Sequence, residues 1–315
     1  EPLPRDQLPN LDAAEQRFLR ALGPGRRRGR QEVEAETVTA SKGGVSGLGY
    51  AVLRACARHG DAKRAEAWLD KWALAGIHAN VRCLNAMLHA CARAGDLPLA
   101  EQWLLDIIDR GLEPNVFSFN SLLAASAEAV DLPAAHRWFA RMEDAGINPD
   151  TVTYRTMVAV CARSGNPQLA EEWLNNMRRQ GHPPDVVSCS ALISAYASVG
   201  DAQGAEKWLQ RMQEEGLRAG RAAYEPVIRV WAAGGPSRSE PRRAEGWLWK
   251  ALEAHVEPTD AALVALIAAF LHAEDFDGAQ RVVGVMRQLR RWPRASVTAA
   301  MARPAAAAGD FVKVE

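Results

Sequence analysis

The stretch "CARAGDLPLAEQWL", Cys91–Leu104, returns nearly unchanged as "CARSGNPQLAEEWL" at Cys161–Leu174. Working outward from this pair, Trp68, Trp103, Trp138, Trp173 and Trp208 follow one another at steps of 35 residues. Ala65, Ala100, Ala135, Ala170 and Ala205 keep the same step, as do Gly76, Gly111, Gly146, Gly181 and Gly216. A fixed period of this kind marks an array of supersecondary units that bury their apolar faces against one another. Five clean units fall at 46–80, 81–115, 116–150, 151–185 and 186–220. A sixth, 221–259, is four residues longer, with "GGPSRSEP" (234–241) in its mid-unit loop. A seventh, 260–294, keeps Ala279, Met286 and Pro293 but loses the recurring Trp. Residues 1–45 hold part of an upstream unit ("AAEQRFLRAL", 13–22) and a loop-rich segment, and 295–315 begin a further unit that is cut off. The start at Glu1 and the stop in mid-pattern at Glu315 are those expected of a fragment or processed form.

Each unit reads as two helices. Unit positions 4, 7, 8 and 11 are apolar, as in Leu84, Met87, Leu88 and Cys91. That is one stripe of an α-helix. Glycine at unit position 15 can end this helix in a left-handed cap, and the following Asp or Asn can cap the next. Gly60-Asp61, Gly95-Asp96, Gly165-Asn166 and Gly200-Asp201 fit, whereas Val130-Asp131 lacks the glycine. The second helix repeats the stripe at unit positions 20, 23, 24 and 27 (Ala170, Trp173, Leu174, Met177), and Pro114, Pro149 and Pro184 bar its continuation. A two-helix hairpin cannot bury both stripes alone, so neighbours must stack into a solenoid. The tryptophans share the buried stripe, which assigns them to packing rather than to ligand stacking.

Composition narrows the function. The chain is 48% hydrophobic and 24% charged, a balance of folded protein. Lys plus Arg equals Asp plus Glu at 38 each, so any nucleic-acid binding needs a local basic stripe. Five cysteines without a Cys-x-x-Cys pair argue against a disulfide framework, and the apolar run 261–273 is too short to span a bilayer. Cys56 with His59, or His89 with Cys91, could suggest a metal, but both cysteines sit in the core stripe and read as small buried thiols. His136 and His255 lie on second helices and need no role.

Positions 2, 5, 9, 12 and 13 of the first helix gather away from the apolar stripe and would form a lane along a stacked array. In the second unit these are Arg82, Asn85, His89, Ala92 and Arg93; in the fourth, Val152, Arg155, Ala159, Ala162 and Arg163. Positions 9 and 12 are mostly small, which leaves room for a ligand. Position 13 is arginine at Arg58, Arg93 and Arg163 although the whole chain is neutral.

The 35-residue spacing, with "VTYRTMVAVCARSGNPQLAEEWLNNMRRQGHPPD" (152–185) as its clearest copy, resembles the pentatricopeptide repeat over about 46–294. The tetratricopeptide pattern, of period 34, fits less well. The resemblance implies an all-α fold, a right-handed α-solenoid superhelix of stacked two-helix hairpins. It also implies binding of single-stranded RNA at about one base per repeat. In that family positions 5 and 35 meet the base edge, position 2 sandwiches the base and a basic residue at 13 faces phosphate. Carried over, Asn85 with Asn115 is a pyrimidine pair favouring cytosine, and Asn120 with Asp150 is a uracil pair. Tyr50, Asn80, Arg155, Asp185 and Ser190 hold the other base-reading positions. Arg82, Phe117, Val152 and Val187 would sandwich bases, and Arg58, Arg93 and Arg163 would contact phosphate. Tyr50 with Asn80, Arg155 with Asp185, Ser190 with Gly220, Glu225 with Thr259 and Val264 with Arg294 depart from the family's pairs. Position 13 is Ala233 or His272 in the last two units, so contact is expected to concentrate at 46–220 with low sequence specificity.

Family members act mostly in mitochondria or plastids, in RNA processing, stability, editing or translation. No catalytic constellation, metal site or cofactor site is visible in the sequence, and neither a membrane nor a small-molecule substrate is expected. The rival reading is a protein-binding scaffold, since helical solenoids also hold peptides; protein partners in RNA metabolism are compatible with either.

Overall fold

The computed structural model describes residues 45–74, 78–233 and 240–291. The upstream segment, most of the 234–241 loop, Gly76, Pro293, Arg294 and 295–315 lie outside these described residues. The described residues form helices joined by turns, without a strand. In chain order they are α1 (Val45–His59), α2 (Ala62–Leu74), α3 (Val81–Ala94), α4 (Leu97–Asp109), α5 (Val116–Glu128), α6 (Leu132–Asp144) and α7 (Thr151–Arg163). Then come α8 (Pro167–Arg179), α9 (Val186–Ser198), α10 (Ala202–Glu214), α11 (Arg221–Ala233), α12 (Pro241–Glu253), α13 (Asp260–His272) and α14 (Phe276–Gln288). No helix among them is long and apolar enough to cross a membrane. The chain divides within α7 into two compact units, Glu1–Val160 and Cys161–Glu315.

In the first unit, α1 packs on α3 and α3 on α5, while α2, α4 and α6 each pack on the first helix of their own hairpin. The stripe read from the sequence is the core: Leu84, Met87, Leu88 and Cys91 are fully buried. Burying a side chain of Leu or Met size stabilises by about 1.5–3 kcal/mol, so each stripe commits its hairpin to a neighbour. The second unit repeats the arrangement with α9, α11 and α13 as the packed first helices, burying Ile193, Ile228 and Ile267 completely.

The turn between helices follows the expected chemistry except at Val130, Asn166 and Glu274, the last a non-glycine at φ 57°. Gly95 takes φ 69°, and its N–H returns to the end of α3. Asp96, Asp131 and Asp201 accept from the backbone N–H three residues on, at 3.2, 2.9 and 2.8 Å. Val130 occupies the left-handed region at φ 55°, where a β-branched residue is strained. Asn166, read from sequence as a cap, makes no side-chain cap bond; Pro167 follows it at the start of α8.

The tryptophans are structural, in a pattern the stripe alone does not reveal. Lys71, Arg141, Arg211 and Lys250 each lie three residues after a Trp and cover its ring, at 4.7, 5.4, 4.8 and 4.0 Å from the centroid. Those four indoles (Trp68, Trp138, Trp208, Trp247) are buried. Trp103 and Trp173 have Asp106 and Asn176 at the same offset and stay half-exposed. The long cation supplies an alkyl cover as well as charge. Glutamates of the preceding hairpin hold the indole edge: Trp138 Nε1 donates to Glu101 at 2.7 Å and Trp208 Nε1 to Glu171 at 3.2 Å. Further along, Arg243 and Arg281 replace the indole as donors to the buried Glu206 and Glu245, at 3.0 and 2.7 Å.

Candidate nucleic-acid interface

From α3 onward the first helices start at unit position 1, so the last residue of each unit is the N-cap of the next hairpin's first helix. Asn80 accepts from Cys83 N at 3.0 Å, Asn115 from Ser118 N at 3.2 Å, Asp150 from Thr153 N at 2.8 Å and Asp185 from Ser188 N at 2.8 Å. In the last three, the hydroxyl at the third helical residue accepts in return from the cap N–H, at 3.1, 3.1 and 3.0 Å, a reciprocal capping box.

Two of these boxes reach back to the residue at unit position 5. Asn85 Nδ2 donates to Asn115 Oδ1 at 3.3 Å, and Ser118 Oγ donates to Asn85 Oδ1 at 2.7 Å. One unit later, Asn120 Nδ2 donates to Asp150 Oδ1 at 3.0 Å and Thr153 Oγ1 to Asn120 Oδ1 at 2.7 Å. Both pairs expected to read bases are therefore in contact, with each amide oriented by two partners. Each amide still has one N–H and one oxygen lone pair to offer. Asn85 is 6% exposed, and Asn120, Arg155, Asp185 and Tyr50 are half-exposed. Burial pushes the Asp150 carboxyl up, but hydrogen bonds from Thr153, Asn120 and Val152 outweigh it, so the group sits below the ordinary carboxylate range.

Ser190 differs. It is 7% exposed, and its hydroxyl has no hydrogen-bond partner. The reason lies in the next hairpin: Gly220 caps without a side chain, and Ala223 stands where Ser118 or Thr153 would carry a hydroxyl.

The side chains at unit position 2 are exposed. Phe117 is 52% and Val187 58% exposed; Val152 and Arg82 are also exposed. Arg82 does not stand alone, since its guanidinium lies 4.3 Å over the Tyr50 ring, so these two candidate residues stack on each other. Phe117 meets His89 with ring centroids 6.1 Å apart. Burial and then the charge of Arg93 lower the His89 pKa, which keeps the ring neutral near pH 7. Arg58, Arg93 and Arg163 are all exposed. The lane is narrower than the helical wheel suggests, because Ala57, Ala92 and Ala127 at position 12 are buried.

Sequence reasoning missed the hydroxyls Ser118 and Thr153, although Asn-x-x-Ser (115–118) and Asp-x-x-Thr (150–153) are legible capping signatures. Among the described residues no group of three or more His, Cys, Asp or Glu is arranged to hold a metal ion. Cys56 and Cys91 are fully buried; burial, then Asp96 and Glu66, push the Cys91 thiol up to about 12.

The family model of the pentacotripeptide-repeat region of PRORP matches residues 78–239, just over half of the chain. The structure is similar to the pentatricopeptide repeat protein PPR10 from maize, with a TM-score of 0.61 at 20% identity, over 93% of this chain and 46% of that one. It is also similar to PPR10 in complex with an 18-nt psaJ RNA element, with a TM-score of 0.52 at 19% identity, over 90% of this chain and 45% of that one. The chain thus spans less than half the length of these solved chains, and the likeness speaks for the fold. No curated protein matches the sequence.

Proposed function

Because the chain belongs to the pentatricopeptide repeat family, we propose that it binds single-stranded RNA through the first helices of its repeats, at about one base per repeat. The array taken to do so runs over 46–294, in the seven repeats set out above. The observation that carries the reading is the twice-repeated amide cluster, Asn85 with Asn115 and Asn120 with Asp150. Each is oriented by a capping hydroxyl, and the side chains at unit position 2 are exposed. An amide held in this way presents one donor and one acceptor to a pyrimidine edge. Arg82, Phe117, Val152 and Val187 would enclose the bases, and Arg58, Arg93 and Arg163 would meet the backbone. That PPR10, a protein of this fold, is solved with an 18-nt RNA element supports the ligand class. We take the setting to be RNA processing, stability, editing or translation in a mitochondrion or plastid, and assign no catalytic step to the array.

The test is binding of a pyrimidine-containing single-stranded RNA, followed by fluorescence anisotropy. Asn85→Ala combined with Asn120→Ala should weaken binding by roughly tenfold or more, since a bidentate base contact is worth about 1–3 kcal/mol. Unchanged affinity in the folded double variant refutes the base-reading assignment. Salt separates RNA from a peptide ligand. Three phosphate contacts on a single strand give a slope of about −2 in log affinity against log salt, or about 20-fold between 50 and 200 mM. A flat response, with no loss on Arg93→Glu plus Arg163→Glu, favours the scaffold instead.

A further inference from the structure

Position 13 carries no cation in the fifth and sixth repeats, where Ser198 and Ala233 stand. The structure nevertheless brings one to the same strip. Ala197, Ser198 and Gly200 at the end of α9 and Pro226, Arg229, Val230 and Ala233 of α11 line an open cleft of about 310 Å³. Arg229 is exposed, and no carboxylate among the described residues pairs with it. The acid best placed to neutralise it is Glu225, one turn earlier on α11, in the favourable order of acid before base. Glu225 directs its Oε1 to the Thr259 hydroxyl and makes no ion pair with Arg229. The cleft is thus lined by Ala197, Ser198, Gly200 and Ala233 beside Pro226 and Val230, and carries a planar cation that no carboxylate among the described residues pairs with. Seven residues before Ala197 on α9, outside the cleft lining, the buried Ser190 hydroxyl has no partner, and Gly220 leaves open space beside the start of α11.

Resting on the RNA reading above, we propose that Arg229 is a backbone-binding residue of the fifth and sixth repeats. In this arrangement it grips an RNA phosphodiester in the α9–α11 cleft, from unit position 9 instead of 13, while the nucleotide's base lies toward Ser190. A guanidinium can bind two phosphate oxygens in parallel, and the small residues at 197, 198 and 233 allow the backbone to approach. The RNA path then extends beyond residue 220, where the sequence alone ends it.

The test uses the full chain and a mixed-sequence single-stranded RNA of about ten nucleotides, longer than one base per repeat requires. Arg229→Gln is compared with Lys207→Gln, which removes an equal charge from an exposed site on α10. Removing one phosphate contact should reduce the salt slope by about 0.7, which is about fivefold in affinity at 0.1 M salt. Lys207→Gln should leave both unchanged. If the parent binds and Arg229→Gln matches it, or if the two variants lose affinity equally, Arg229 grips no phosphate while the general RNA reading survives. If the parent itself binds no RNA at low salt, both readings fall.

Discussion

Replacing Ser190 by alanine should make the protein more stable and its RNA binding weaker. In the folded chain the hydroxyl is buried without a partner. Leaving a buried hydroxyl unpaired costs about 1–3 kcal/mol, and the low end of that range suits a side chain still 7% exposed. Alanine also has the better helix propensity, by about 0.5 kcal/mol, against a small loss of packing where the oxygen was. The sum is a stabilisation of about 1 kcal/mol. Asn85→Ala, at the same position three repeats earlier, makes the comparison internal. It removes the bonds to Asn115 and Ser118, at 3.3 and 2.7 Å, and should cost about 1 kcal/mol after the same propensity gain. Urea unfolding of both variants, followed by far-ultraviolet circular dichroism without RNA, should move the midpoints in opposite directions. Anisotropy with RNA should show both binding less tightly than the parent. A Ser190→Ala variant less stable than the parent would mean that the hydroxyl has a partner in the folded chain.

Val130→Gly should raise the melting temperature, because a non-glycine residue in the left-handed region at φ 55° costs about 1 kcal/mol; an unchanged or lower value refutes the strain. Asn176→Lys should cover Trp173 as Lys71 covers Trp68, adding about 0.5–1 kcal/mol and reducing acrylamide quenching of that indole. Asp150 has a depressed pKa in the folded chain, so its contribution is present above the ordinary value of about 3.9 and is lost as pH falls through the lower folded value. The urea midpoints of the parent and Asp150→Asn should therefore converge below about pH 4. A gap that stays constant into acid would show that the carboxylate gains nothing from its caps.

The fold was legible because the information is redundant. The apolar stripe, the glycine turn and the Trp step recur at 35 residues, and each copy supports the others. The contacts between hairpins were not, because a single helix face says nothing about what its neighbour offers. Glu101 reads as a surface residue until Trp138 is brought to it from the next hairpin. Helical geometry identified the position-5 residues, yet not that Asn85 is oriented while Ser190 is orphaned. That difference is decided by Ser118 against Ala223, one hairpin further on. At position 12 a helical wheel drawn for one helix omits the adjacent hairpin that buries Ala57, Ala92 and Ala127, whereas Ala162 and Ala197 stay half-exposed.

The residue that closes each repeat also starts the following helix. Asn115 and Asp150 hold a position-5 amide with the same oxygen that accepts the first-turn N–H. Only short side chains with a hydrogen-bond acceptor do this well, namely Asn, Asp, Ser and Thr. Under the proposed reading, the vocabulary available for changing target preference at that residue is bounded by what can begin a helix. A repeat given a new letter outside this set would loosen its downstream neighbour before it read anything.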